Sequence, residues 1–210
     1  MKRTSFGFVL CVFVFSVANV LAQPQENSGL IKTADGVLVV SNEPGSFYTL
    51  EIKGKSIKPI PDRPFWFTVD GKFLQVVNAE KAQFLKDAAD KRLDDKAILS
   101  AHRKWESDYI SETLGAKLNI NSEWLKLSNG MTAIAWNYDM PHVADKQTAK
   151  RQLYLIVVKG DRVIGLNTVV EEDGQDKILQ QFLIDTMNTF KPRDAPLNLE
   201  RARELVLKGR

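Results

Sequence analysis

One cysteine and two histidines in 210 residues leave this chain almost without the groups that thiol, redox and zinc chemistry draw on. The cysteine, Cys11, lies within the first 22 residues, and Val9-Leu10 before it do not form the small-residue box needed for bacterial lipid attachment. A chain that loses that segment has no thiol, which excludes cysteine catalysis, disulfides and cysteine-held metals, so the fold must hold by its core alone. Charge of one sign is also scarce. Lys and Arg number 29 against 26 Asp and Glu, with no dense basic run, so nucleic acid is excluded as a partner. Gly160, Gly165 and Gly174 never assemble into a phosphate-cradling loop, no Gly-x-Ser-x-Gly elbow exists, and Glu171, Glu172, Asp173 and Asp176 lack the ligand alternation of a calcium loop. No cofactor is expected.

Long apolar runs are missing as well, and the one short run has a specific meaning. Lys2 and Arg3, the apolar stretch Phe6 to Val17 and the slender Val20-Leu21-Ala22 make an export signal, too short for a bilayer span of about 20 residues. Cleavage is expected after Ala22. Removing 22 of the 210 residues leaves 188, and losing Lys2 and Arg3 from the 29 cations leaves a balance of +1. The expected organisation is a signal peptide over 1–22, a flexible leader over 23–29, one soluble domain over 30–192 and a tail over 193–210 with a short helix near Leu199 to Leu207. The destination is the periplasm or the extracellular space.

The domain reads as α+β with a mainly antiparallel sheet of about six or seven strands. Phe65 to Val69, Asp70-Gly71 and Lys72 to Val77 form a hairpin, because Asp-Gly accepts the positive φ angles of a two-residue turn. Trp124 to Leu127 with Met131 to Tyr138 form a second, and Gln152 to Val158 with Arg162 to Val170 a third. Val37 to Val40 and Phe47 to Lys53 read as strands, the latter with Tyr48, Leu50 and Ile52 on one face. Pro59, Pro61 and Pro64 confine 55–64 to an edge or a connection. Helices are expected over 78–93 behind an Asn78 cap, over 95–114 with Ile98, His102, Trp105, Tyr109 and Ile110 on one stripe, and over 176–190 with Leu179, Phe182, Leu183, Met187 and Phe190 inward.

The segments Phe65 to Asn78, Trp124 to Tyr138 and Gln152 to Pro192, with Tyr154-Leu-Ile-Val-Val158 running into a turn, resemble in their order the PsbP-like α/β/α sandwich. That is the fold of the photosystem II extrinsic protein, of a Ran-binding import factor and of many exported bacterial domains, and the resemblance spans roughly residues 37 to 192. It implies an accessory or binding role and assigns no functional residue to a numbered position.

Candidate chemistry is sparse. Asp139, His142 and Asp145, spaced by threes after the strand that ends at Tyr138, offer two carboxylates and an imidazole that could hold zinc or manganese, or orient a base. Pro141 between them forbids helical stacking, and a solvated loop is the plainer reading. His102 on an apolar stripe reads as a hydrogen-bonded core histidine. Trp66, Trp105, Trp124 and Trp136 read as core unless several face outward and line a cleft. Val37 to Val40 or the proline segment offers a sheet edge to a partner's strand. The leading expectation is a non-enzymatic binding or accessory domain for a protein or small-molecule ligand, with Trp136, Asp139, His142 and Asp145 as candidate binding residues and no metal assigned. The alternative is a metal-assisted hydrolase built on the last three.

Overall fold

The computed structural model describes residues 28–85, 93–141 and 149–208. Two antiparallel sheets organise them. The smaller contains β1 (Ser28–Lys32), β2 (Gly36–Glu43), β3 (Ser46–Lys53) and the two-residue β11 (Lys191–Pro192), in the order β1-β2-β3-β11. The larger contains β4 (Ile57–Pro59), β5 (Trp66–Val69), β6 (Lys72–Glu80), β7 (Ile120–Lys126), β8 (Thr132–Asp139), β9 (Arg151–Lys159) and β10 (Arg162–Val170), in the order β4-β5-β6-β10-β9-β8-β7.

Each face of the large sheet is built by alternation. Leu153, Leu155 and Val157 of β9 enter one core, while Tyr154, Ile156 and Val158 enter the other. The first core is shared with the small sheet through Val39, Tyr48, Leu50 and Ile52, and with α2 (Asp176–Asn188) through Leu179, Leu183 and Met187. The second lies beneath α1 (Asp95–Leu114), which Asp94 caps through Oδ1 at 2.8 Å from the Ala97 amide and Gly115 ends. The small sheet has an outer cover, since Leu199 of α3 (Leu199–Lys208) packs on Ile31 and Val40. The result is an α/β/α sandwich.

The three expected hairpins are present. Asp70 and Gly71 have φ of 49° and 82°, the paired positive values that match a two-residue turn to the strand twist. Asp70 also accepts from the Ser56 and Lys55 amides at 2.7 and 3.2 Å, which holds its carboxyl below the usual range and fastens β4 as a proline-bearing edge. Asn129 donates to the Met187 carbonyl at 3.0 Å, and Asn188 accepts from the Ser128 amide, so the β7–β8 turn is tied to the end of α2. At the opposite end of the sandwich, Arg162 reaches Glu43 of β2 and Glu80 of β6, both at 2.9 Å, and clamps the two sheets together.

Three expectations need correction. No helix begins at Asn78: β6 continues to Glu80 because Ile164, Val163 and Arg162 of β10 pair with Asn78, Ala79 and Glu80, and a single 3-10 turn, Lys81–Gln83, follows. The rest of that expected helix falls partly on 86–92, outside the described residues. Val37 to Val40 is not an edge, since β1 covers β2 on one side and β3 on the other. The expected sheet of six or seven strands is the large sheet of seven, and among the described residues a second sheet of four stands beside it. Tyr109 is 39% exposed, and Glu106 takes the place expected for it on the buried stripe of α1.

Candidate functional site

Of the four candidate binding residues, the structure describes two, Trp136 and Asp139. Trp136 is 1% exposed and lies flat on Tyr154 of the next strand, with ring centroids 3.9 Å apart and planes 6° from parallel. It is core. Asp139, at the end of β8, pairs with Arg151 at 2.7 Å, and the other arm of that guanidinium holds Asp176 at the start of α2. His142 and Asp145 lie outside the described residues. Among the described residues no group of three or more His, Cys, Asp or Glu could hold a metal ion.

Under α1 the packing is aromatic and unexpectedly polar. Residues paired across the strands on this face form a row, Gln75 to Asn167 to Tyr154 to Trp136 to Ser122. Asn167 donates to Gln75 at 2.8 Å, and the Tyr138 hydroxyl donates to Gln152 at 2.6 Å. From above, α1 contributes His102 and Glu106, one turn apart on its inner stripe. His102 is held by ring contacts with Phe84 and Trp105 at 5.1 and 5.7 Å, and neither of its nitrogens has a hydrogen-bond partner among the described residues. Among the described residues, the expected hydrogen bond to this histidine is not seen. Glu106 Oε2 and Trp136 Nε1 are likewise buried without a partner among the described residues.

Burial acts on this seam in opposite directions, because it disfavours whichever form is charged. It lowers His102 from 6.5 to about 4 and raises Glu106 from 4.5 to about 7. Tyr154 is pushed well up by burial, then by the neighbouring Tyr138 and Glu106. Two groups with displaced titrations are a feature of acid–base sites, but here their unpartnered atoms are out of contact with solvent among the described residues.

Among the described residues, one open surface is the edge of the large sheet formed by β7. Its partner β8 covers one side, and among the described residues nothing pairs with the other. The pairing phase shows which groups are free. The Leu127 amide donates to the Met131 carbonyl at 3.0 Å, so 127 and 131 are a hydrogen-bonded pair, and alternation assigns 125, 123 and 121 to the same class. The backbone amides and carbonyls of Ile120, Ser122, Trp124 and Lys126 consequently face outward. Their side chains share the α1 face, as their partners Tyr138, Trp136 and Ile134 do.

That edge carries Trp124, the tryptophan that is exposed, at 42%. The Lys96 ammonium of α1 stands over its ring, 5.5 Å from the centroid, and Arg103 donates to the Ser122 hydroxyl at 2.7 Å. On the other face, a cleft of about 220 Å³ lies beside α2, lined by Asn121, Glu123, Ala135, Leu153, Gln180 and Leu183 among others, with Gln180 bonded to Glu123. Sequence reasoning placed Trp124 in a hairpin but began its strand four residues late, because Ile120, Asn121, Ser122 and Glu123 show no apolar alternation. Glu106 was missed as well: a glutamate between His102 and Ile110 reads as solvated until the stripe is seen to pass through it.

No protein-family model and no curated protein matches the chain. Among solved structures the chain is similar to the solution structure of cyanobacterial PsbP from Synechocystis sp., with a TM-score of 0.50 and 13% identity over 81% of this chain and 100% of that one. Among the described residues no helix is long and apolar enough to cross a membrane. Two antiparallel sheets flanked by helices, superposable on the whole of that protein, give this chain the PsbP-like α/β/α fold.

Proposed function

We propose that this protein is an exported accessory module that binds a partner by accepting an extended segment along β7 of its large sheet. The observation that carries the reading is the run of outward amides and carbonyls on β7, which is seven residues long and free of proline. Such a row is a template for another strand, and proteins normally blunt it. Two other edges are blunted here: β4 has three residues and Pro59, and β11 has two and Pro192. The PsbP-like fold agrees with an accessory role but does not supply one, since function lives in sites grafted on folds. Export is supported by Lys2, Arg3 and the Phe6 to Val17 run, and an amino terminus at Gln23 on the secreted protein is the expected result. An intact Met1 would contradict it.

The edge is tested by one substitution chosen from the pairing phase. Ser122→Pro removes an outward amide and leaves the β8 ladder intact, with Ser122→Ala as the control for the lost hydroxyl. Peptides selected on the wild-type protein from a random display library are expected to lose binding to Ser122→Pro and keep it to Ser122→Ala. Equal binding to all three proteins would place the partner site elsewhere.

A further inference from the structure

We infer that the segment β7 accepts is acidic at alternate residues, with uncharged side chains between them; this rests on the strand-addition reading above and names its partner. In an antiparallel pair, residues directly opposite one another project to the same face. Residues of an incoming strand that sit opposite Ser122, Trp124 and Lys126 therefore point to the α1 side, about 6.6 Å apart from one to the next on that side. Each of those positions has a cation beside it. Arg103 is bonded to Ser122, Lys96 stands over Trp124, and Lys126 supplies its own ammonium. Among the described residues none of these three cations has a carboxylate within ion-pair distance, whereas Lys104, Lys150, Arg151 and Arg162 are all paired.

The opposite face has the reverse preference. Incoming residues opposite Asn121 and Glu123 project toward the cleft beside α2, where the Glu123 carboxylate would repel an acid and where Ala135, Leu153 and Leu183 line a space of about 220 Å³. A small apolar or hydroxyl side chain fits there. Lysine on an edge can also serve as a guard against strand addition. The two roles differ in sign: a guard repels every strand, whereas three unpaired cations in register select for carboxylates.

The test uses the full-length protein and three fluorescein-labelled peptides. The first is Thr-Glu-Val-Glu-Thr-Glu-Thr, the second has lysine for each glutamate, and the third is the first with alternate amides N-methylated on its pairing edge. Anisotropy titrations are expected to show the glutamate peptide binding roughly tenfold tighter than the lysine peptide, as three exposed ion pairs of modest strength allow, with the difference shrinking in high salt. The variant K96Q/R103Q/K126Q is expected to bring the two within threefold, and N-methylation to abolish binding. Equal binding of the glutamate and lysine peptides, both sensitive to N-methylation, would overturn the acidic preference and leave the edge standing. Binding that survives N-methylation would overturn the edge itself, and failure of all three peptides to bind would make the cations guards and overturn both.

Discussion

Replacing Glu106 by glutamine should stabilise this protein, and by an amount that depends on pH. The carboxyl is 8% exposed, and burial raises it from 4.5 in the unfolded chain to about 7 in the fold. Between those values the folded state holds a proton that the unfolded state has released, so stability falls as pH rises through the window and levels off above it. A rise of that size corresponds to about 3 kcal/mol, at roughly 1.4 kcal/mol for each tenfold change in the equilibrium. Glu106→Gln removes this slope. His102 has the opposite one: lowered from 6.5 to about 4, it weakens the fold as pH drops through that interval. The two nearly cancel between pH 4 and 8, which hides both in the wild-type profile.

Urea unfolding of wild type, Glu106→Gln and His102→Gln at pH 4, 6 and 8 separates them. The advantage of Glu106→Gln over wild type should grow by about 3 kcal/mol from pH 4 to pH 8, or roughly 6 to 12 °C in Tm for a domain of this size. Any constant penalty for burying the amide drops out of that difference. The His102→Gln variant should lose stability toward high pH, with the Glu106 slope exposed. An advantage of Glu106→Gln that is the same at pH 4 and pH 8 would refute the assignment of a buried carboxyl whose Oε2 has no partner among the described residues.

Other outcomes follow from the same geometry. Ser122→Pro should cost less than about 1 kcal/mol, while Glu123→Pro, one residue on, should cost about 3 kcal/mol or more because it removes a ladder amide; thermal unfolding of the two distinguishes the pairing phase assigned to β7. Gly160→Ala should destabilise by more than Gly130→Ala, since both have positive φ but a Cβ at Gly160 would sit 2.5 Å from the Gly45 carbonyl oxygen and one at Gly130 would meet nothing within 4 Å. Chemical denaturation should put the second at about 1 kcal/mol and the first at about 2 kcal/mol or above. Trp136→Ala should cost about 3 to 5 kcal/mol by emptying a stacked core position, while peptide binding measured on the folded fraction stays unchanged. Zinc or manganese should leave the melting temperature of chelator-free protein unmoved, and a rise on adding either would revive the Asp139, His142 and Asp145 reading.

Much of the fold was legible because its signals are local. The Asp70-Gly71 turn, the Asp94 cap and Gly115 stop of α1, and the apolar stripe of α2 each follow from a few adjacent residues and the shape they favour. What was missed depends on contacts far away in sequence. Asn78 reads as a helix cap until β10 is laid beside it, and Val37 to Val40 reads as an edge until β1 covers it. The same holds for function. Trp136 and Trp124 are the same residue type twelve positions apart in one hairpin, yet one lies between strand and helix and the other at the rim of the sheet, a difference set by strand order alone. His102 showed its burial in the periodicity of α1, but Glu106, which shares that stripe, did not.

Amide hydrogen exchange along β7, with and without the glutamate peptide, tests the account most directly. Uptake of a strand predicts slowed exchange at Ile120, Ser122, Trp124 and Lys126, whose amides face outward, and little change at Asn121, Glu123 and Leu125, which β8 already protects. Bound peptide with no added protection at those four outward amides, or with protection centred on another element, would contradict it.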